Sequence, residues 1–366
     1  MSLRKKRSTT PPAAVTASDW LSQNISSLAA EITENQFSAR PGLLRKYGSK
    51  GRLKCTEDAA SHLHYLSEAI AVTSPAIFTR YIGWAKIMLS SRGIESGDLK
   101  HTLQGMKRVV AKQANGEHGA LIGKFITLAL EELPNLPESL PPFIDSREPF
   151  APIANKYLQS LLLLNRNEAI AGVMEEVEAG LSIRDVFQHV IFVAQQEVGR
   201  LWQMNQITVV QEHYCTSSAD LLIARLRRKY SDTSRDVSAL ALCAANEEHS
   251  MGVRLLSELL EADGWRVAYI GSKSPTADVL KHLKANPTDL VAISIGTPLS
   301  LSKAKELIQA IRSLPLRNPP RIMLGGSALN ASEPTIVQAL GADAYAANIL
   351  DGLEMADRLV RERRHA

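Results

Sequence analysis

The chain has 366 residues, too many for one small domain and suited to two or three at roughly 100–200 residues each. Apolar residues make up 45% and charged residues 22%, with a formal net charge of +4. That composition permits sizeable buried cores and carries no whole-chain nucleic-acid signature. Basic residues do gather in Arg4-Lys5-Lys6-Arg7 and Arg361-Glu362-Arg363-Arg364, which read as solvated tails. Three widely spaced cysteines, Cys55, Cys215 and Cys243, give neither a disulfide framework nor a zinc spacing. With no membrane-length apolar run and no signal peptide, a cytoplasmic protein is expected.

Residues 1–16, basic and rich in Ser, Thr and Pro, predict a disordered tail. Residues 17–133 are helical in pattern, with apolar positions three and four apart, as in Leu63, Leu66, Ala69 and Ile70. Pro134, Pro137, Pro141, Pro142 and Pro149 cannot propagate a helix, so 134–149 reads as a linker. Residues 150–231 return to helical periodicity, with a stripe through Ile183, Val186, Phe187, Val190, Ile191, Ala194, Val198 and Leu201. Asn205-Gln206 interrupts it, and Thr208-Val209-Val210-Gln211 predicts a capping box opening the next helix. About four helices are expected here, forming a four-helix bundle.

From residue 232 to 366 short apolar runs (237–245, 266–271, 290–295, 321–324, 342–347) alternate with amphipathic stretches. They predict a doubly wound α/β domain with five parallel strands, flavodoxin- or Rossmann-like. Ligands of such folds sit beyond the carboxyl ends of the strands. The first strand runs into Glu247-Glu248-His249-Ser250-Met251-Gly252. A carboxylate two residues before a histidine can accept the proton of one ring nitrogen and leave the other free for a metal. Gly252 would let a bulky group approach the next helix. One protein ligand makes no zinc site, so a metal here would arrive in its own macrocycle; a plain surface histidine is the alternative. The third strand ends Ser294-Ile295-Gly296-Thr297, and the fourth ends in Gly325-Gly326, where paired glycines open a gap.

E-x-H-x-x-G, S-x-G and GG, in that order on an α/β domain, resemble the cobalamin-binding domain over about residues 150 to 362. The resemblance implies that His249 is the lower axial ligand of cobalt, replacing the dimethylbenzimidazole tail, with Glu247 orienting it. Ser294, Gly325 and Gly326 would line the slot for that tail, with further contacts at Gly296 and Thr297. The chain departs from the commonest pattern twice. Glu247 stands where Asp is commonest (Glu is usual in the light-sensing branch), and S-x-G replaces S-x-L or S-x-T.

Upstream, Trp202 followed by Glu212-His213 looks like the W-x9-E-H signature of adenosylcobalamin-dependent light sensors. By that likeness Trp202 packs over the adenosyl group, while Glu212 and His213 meet the nucleoside or corrin. An indole can stack on adenine, and a carboxylate can accept from ribose hydroxyls. The best-known sensors carry a histidine after the Trp that captures cobalt; Gln203 stands here, so His213 or water would have to serve. No segment has room for the substrate barrel of a mutase, and none before Pro134 reads as a winged helix-turn-helix.

In the first domain Cys55 and Asp58 lie three apart on a predicted helix, with His62 one turn on. A thiol and a carboxylate on one face suit a linear tetrapyrrole, although Cys55 in the core and a solvated Asp58 are equally compatible with the spacing. C-x-x-D-x4-L is similar to the bilin site of phycobiliproteins, whose arginine before the Asp is Glu57 here. A globin-like helical domain followed by a cobalamin photosensor resembles the photocobilins over nearly the whole chain. The likeness implies a bilin, biliverdin, between that domain and the cobalamin module, touching Cys55, Asp58 and His62, with Arg52, Tyr65, Tyr81 and Trp84 as further candidates. The expectation is a light sensor rather than an enzyme. It would bind adenosylcobalamin and biliverdin, change its self-association in light and signal to a protein partner, without membrane or nucleic acid. A corrinoid methyl carrier serving a methyltransferase and a bilin-free B12 sensor remain the alternatives.

Overall fold

The computed structural model describes residues 13–230, 234–329 and 334–365. The chain forms two compact units, one built from residues up to Lys86 together with Ile94–Leu136, the other from Ile87–Gly93 and Pro137 onward. Among the described residues no helix is long and apolar enough to cross a membrane.

The first unit is helical: α1 (Ala13–Ala39), α2 (Gly42–Ala71), α3 (Pro75–Ser90), α4 (Ser96–Gln113) and α5 (Gly116–Glu132). Residues 13–16, placed by the sequence in the tail, lie in the first turn of α1, and residues 1–12 fall outside the described residues. The long helices follow from their stripes. Leu21, Ile25, Leu28 and Ile32 in α1, and Ala59, Leu63, Leu66 and Ile70 in α2, repeat at four-three-four spacing and are all buried. The Ser18 hydroxyl, buried with them, donates to the Ser67 carbonyl at 2.9 Å. α2 is kinked at Gly48, whose φ of +66° suits glycine. Just before the kink, the Tyr47 hydroxyl donates to Asp98 at 2.6 Å.

The proline-rich segment is pinned rather than slack. Phe143 N–H donates to Glu197 at 2.8 Å and the Arg200 guanidinium donates to Leu140 O at 3.2 Å, while Glu197 and Arg200 form a buried ion pair at 2.6 Å. Both charged residues belong to the bundle, so the segment is fastened to it.

The bundle comprises α6 (Ala151–Leu162), α7 (Arg166–Glu178), one turn α8 (Ile183–Asp185), a π-helical stretch Val186–Phe192, α9 (Val193–Gln203) and α10 (Val209–Leu226). The run from Ile183 to Gln203 is continuous, so the four helices read from periodicity are present among the described residues. The capping box at Thr208 forms, with Gln211 N–H donating to Thr208 Oγ1 at 3.3 Å and Thr208 N–H to Gln211 Oε1 at 3.0 Å.

The α/β half has β1 (Ser238–Cys243), α11 (Met251–Ala262), β2 (Arg266–Gly271), α12 (Thr276–Ala285), β3 (Leu290–Ser294), α13 (Leu301–Arg312), β4 (Arg321–Gly325), α14 (Pro334–Leu340), β5 (Ala344–Tyr345) and α15 (Ile349–His365). All neighbours are parallel, in the order β2-β1-β3-β4-β5. β1 and β3 are buried along their whole length, which is why they read as unbroken apolar runs. The order reverses between β1 and β3, the switch point where such sheets bind ligands. Sheet and bundle share one apolar core, in which Tyr157, Phe187 and Leu222 join Ala241, Leu255 and Ala356. The basic run at the end of the chain is only partly a solvated tail: Arg361 and Arg363 lie in α15, and Arg363 pairs with Asp289 at 2.6 Å.

Candidate functional site

β1 stops at Cys243, and the loop to α11 turns through Asn246, which adopts a φ of +67°. Glu247 is thereby folded under the loop, 1% exposed, while the side chain of His249 stays 72% exposed. The buried carboxylate is surrounded by donors. Oε1 accepts from Glu248 N–H at 3.0 Å and His249 N–H at 2.9 Å, and lies 2.6 Å from His249 Nδ1. Oε2 accepts from Thr297 N–H at 2.7 Å and from its hydroxyl at 3.3 Å. Burial alone would raise the pKa of Glu247, but the hydrogen bonds from His249 and Thr297 overcome it and bring the group down to about 2. The carboxylate is therefore ionised and holds the imidazole proton on Nδ1, leaving Nε2 with its lone pair. The same bond raises the pKa of His249 against its burial, with smaller contributions from Glu212 and Glu248.

Beside this pair opens a cavity of about 510 Å³. His249, Gly252, Ser294, Gly296, Gly325 and Gly326 all line it, six of the residues singled out from sequence. Ser294 ends β3 and pairs in register with Gly325 of β4. Gly326 has a φ of +100°, and a Cβ there would lie 2.3 Å from the Ile295 carbonyl oxygen, so both backbone and space demand glycine. Glu247 and Thr297 stand behind His249 rather than in the cavity.

Another part of the wall comes from the bundle: Phe192, Gln195, Gln196 and Gly199. These were not foreseen. Val186, Phe187, Val190, Ile191, Ala194 and Val198, all buried, mark the helix face turned to the core, and the cavity is lined from another face. Polar glutamines and a glycine on a second face, three and four apart, were the available signal. Trp202 lies three residues beyond Gly199 and continues that face past the cavity, half-buried, with the Arg92 guanidinium 5.7 Å from its ring centre. Gln203 is buried, and its carbonyl accepts from Ser91 at 3.1 Å and Arg92 at 3.0 Å. On α10 Glu212 lies 2.5 Å from exposed His213 and accepts from Thr216, whose hydroxyl also donates to Gln195 at 3.2 Å. Trp202, Glu212 and His213 are not among the residues lining the cavity.

Among the described residues no three His, Cys, Asp or Glu side chains cluster as a bare-metal site. A lone histidine, oriented by a buried carboxylate at the mouth of a glycine-floored slot, fits a metal delivered inside a large chelate. Two family models match this unit, each described as a B12 binding domain, over residues 153–227 and 237–354. The second unit is a B12-binding module. Parts of this chain are 25% identical over 243 residues to the HTH-type transcriptional repressor CarH of Myxococcus xanthus, covering 65% of this chain and 79% of that one. They are 20% identical to dimethylamine corrinoid protein 3 of Methanosarcina acetivorans, over 53% of this chain and 91% of that one. The fold matches the structure of the monomethylamine corrinoid protein of Methanosarcina barkeri, with a TM-score of 0.51 at 20% identity over 57% of this chain and 99% of that one.

In the first unit the sequence candidates lie on α2 and α3. His62 Nδ1 is 2.8 Å from the Tyr81 hydroxyl, Tyr65 stacks on Tyr81 with ring centres 3.6 Å apart, and Trp84 lies 6.1 Å further along. His62 and Tyr81 are buried, Cys55 and Asp58 half-buried, and Arg52 is paired with Glu34 on the surface. Burial, followed by the charge of Asp58, pushes the Cys55 thiol up; burial likewise raises Asp58. Burial holds His62 down at about 4.

Proposed function

We propose that the chain is a light sensor. In this reading the B12-binding module holds adenosylcobalamin base-off on His249, and the first unit, a globin-like bilin domain, holds biliverdin near Cys55, Asp58 and His62. Illumination then changes a conformation or assembly state that a protein partner reads, and the chain is a receptor rather than an enzyme. The observation that carries the reading is the pairing of two walls. His249 and the glycine slot form one, and α9, through Gln195, Gln196 and Gly199, forms the other.

Bound adenosylcobalamin supplies a light-sensitive cobalt–carbon bond. Glu247 keeps the proton on Nδ1 of His249, so that Nε2 can act as a ligand. Ser294, Gly325 and Gly326 would line the space available to the nucleotide tail of such a cofactor. Trp202 offers a flat apolar face to adenine, and Glu212 an acceptor for ribose hydroxyls. A group that contacts Trp202 in one state only shifts the balance of bundle conformations by the difference in binding between the two states.

The test is light scattering on the full chain, loaded with adenosylcobalamin and biliverdin in the dark, before and after green light. A light-dependent change in mass or radius is expected; an unchanged particle counts against the sensor. A corrinoid methyl carrier is the second reading, favoured by matches that span nearly the whole length of corrinoid proteins. It would retain methylcobalamin as firmly and show no response to light. Those matches cover 53% and 57% of this chain, and the sensor reading gives the first unit a role. Absence of a red absorption band after incubation with biliverdin would leave a bilin-free B12 sensor.

A further inference from the structure

Gly296 follows β3 with a backbone conformation open to any residue, since its φ lies outside the left-handed range. Its lack of a side chain therefore has another cause. A Cβ at 296 would stand 2.7 Å from His249 Cβ, 3.0 Å from Glu247 Oε1 and 3.1 Å from Glu247 Cδ. None of these is the free end of a flexible chain: the carboxylate is fixed by its donors on both oxygens, and His249 Cβ is fixed by the loop. A methyl group in that space has to displace the carboxylate, the imidazole or both.

The structure assigns Gly296 the role of a positioning residue, size-matched to Glu247. The glutamate reaches across to the loop after β3 because residue 296 leaves room for its carboxylate, and that reach fixes the His249 ring through Nδ1. The inference rests on His249 as the ligand of the B12-type cofactor. An aspartate at 247 is shorter by one methylene, about 1.5 Å. It would withdraw from the space above residue 296 and lose the Thr297 amide, relieving the two glutamate contacts of a methyl there and leaving the one with His249 Cβ at 2.7 Å.

The test is a cycle of four proteins: the native chain, Gly296→Ala, Glu247→Asp and the double variant. Each is titrated with hydroxocobalamin, with the melting temperature and the nitrogen-15 spectrum of the histidine side chains recorded without cofactor. Gly296→Ala is expected to weaken binding 10- to 100-fold, the range for disturbing a partner of a metal-bound histidine, and to shift the His249 Nδ1 resonance in the cofactor-free protein. In the double variant Gly296→Ala should cost less, relative to Glu247→Asp alone, than it costs in the native chain, because two of its three close contacts are with Glu247. If Gly296→Ala fails to fold, the same substitution should still lower the melting temperature less in the Glu247→Asp background than in the native chain, and an equal or greater loss there would overturn the inference. Native binding by Gly296→Ala, an unmoved His249 resonance, or effects that simply add in the double variant would overturn the inference. His249→Ala separates the two levels: if it also binds normally, the ligand assignment itself has failed; if it alone loses binding, only the role of Gly296 has.

Discussion

Replacing Glu247 by glutamine changes one atom and tests how His249 is held. The carboxylate accepts five hydrogen bonds, three on Oε1 from residues 248 and 249 and two on Oε2 from Thr297. An amide must turn its NH2 toward one set. Facing His249, it would oppose two backbone N–H groups and move the imidazole proton to Nε2, the nitrogen needed for metal. Facing Thr297, it would oppose a single N–H, leaving one buried donor unpaired at about 1–3 kcal/mol. The second orientation is cheaper, so the tautomer survives, but a neutral acceptor supports the imidazole less. Binding of hydroxocobalamin, followed by absorbance titration, is expected to weaken 10- to 100-fold, about 1.4–2.8 kcal/mol. The pH profile gives a second reading. Glu247 sits at about 2 in the folded protein against an ordinary 4.5. Its stabilisation is thus complete above about 4.5 and lost as pH falls toward 2. The variant lacks that loss, so its stability changes less across the window. Binding within twofold of native, with an unchanged spectrum, would refute the reasoning.

Three further changes probe other parts of the structure. Gly326→Ala combines backbone strain with overlap on a rigid carbonyl and should cost about 2–6 kcal/mol, read by denaturant unfolding; a loss under 1 kcal/mol would contradict the slot geometry. Trp202→Ala should reduce the preference for adenosylcobalamin over hydroxocobalamin roughly 5- to 150-fold, the range for losing a base stacked on an aromatic ring. An unchanged preference would remove Trp202 from the cap. His62, buried and neutral, has its pKa lowered to about 4 from 6.5. Protonation therefore favours the unfolded chain, and stability is lost as pH falls from about 6.5 to about 4, by roughly 3 kcal/mol in all. His62→Gln should flatten that slope in urea titrations at pH 7 and 4.5; an equally steep variant would place the titration elsewhere.

The α/β half was legible because parallel strands buried on both faces leave continuous apolar runs, and because a doubly wound sheet puts its ligands after the strands. His249, Ser294, Gly325 and Gly326 could be found that way. Two departures from the common pattern, Glu at 247 and Gly at 296, were read separately, and only the fold sets one against the other. The cavity wall from α9 escaped notice because Gln195, Gln196 and Gly199 lie off the apolar stripe, which runs on through buried Ala194 and Val198. Tyr65 and Tyr81 carry no spacing signal that joins them, since α2 and α3 meet through tertiary packing. The proline-rich segment reads from sequence as a linker; its attachment to the bundle depends on Glu197 and Arg200, more than 50 residues downstream.

The account turns on His249 as the metal ligand, and electron paramagnetic resonance of the cobalt(II) cobalamin form tests it most directly. The full chain would be prepared with histidine labelled with nitrogen-15 and loaded with unlabelled cobalamin. A histidine on cobalt predicts that each hyperfine line, a triplet in unlabelled protein, becomes a doublet in the labelled one. Triplets that persist in the labelled protein would mean that the cofactor keeps its own base, and would contradict the site built around His249 and Glu247.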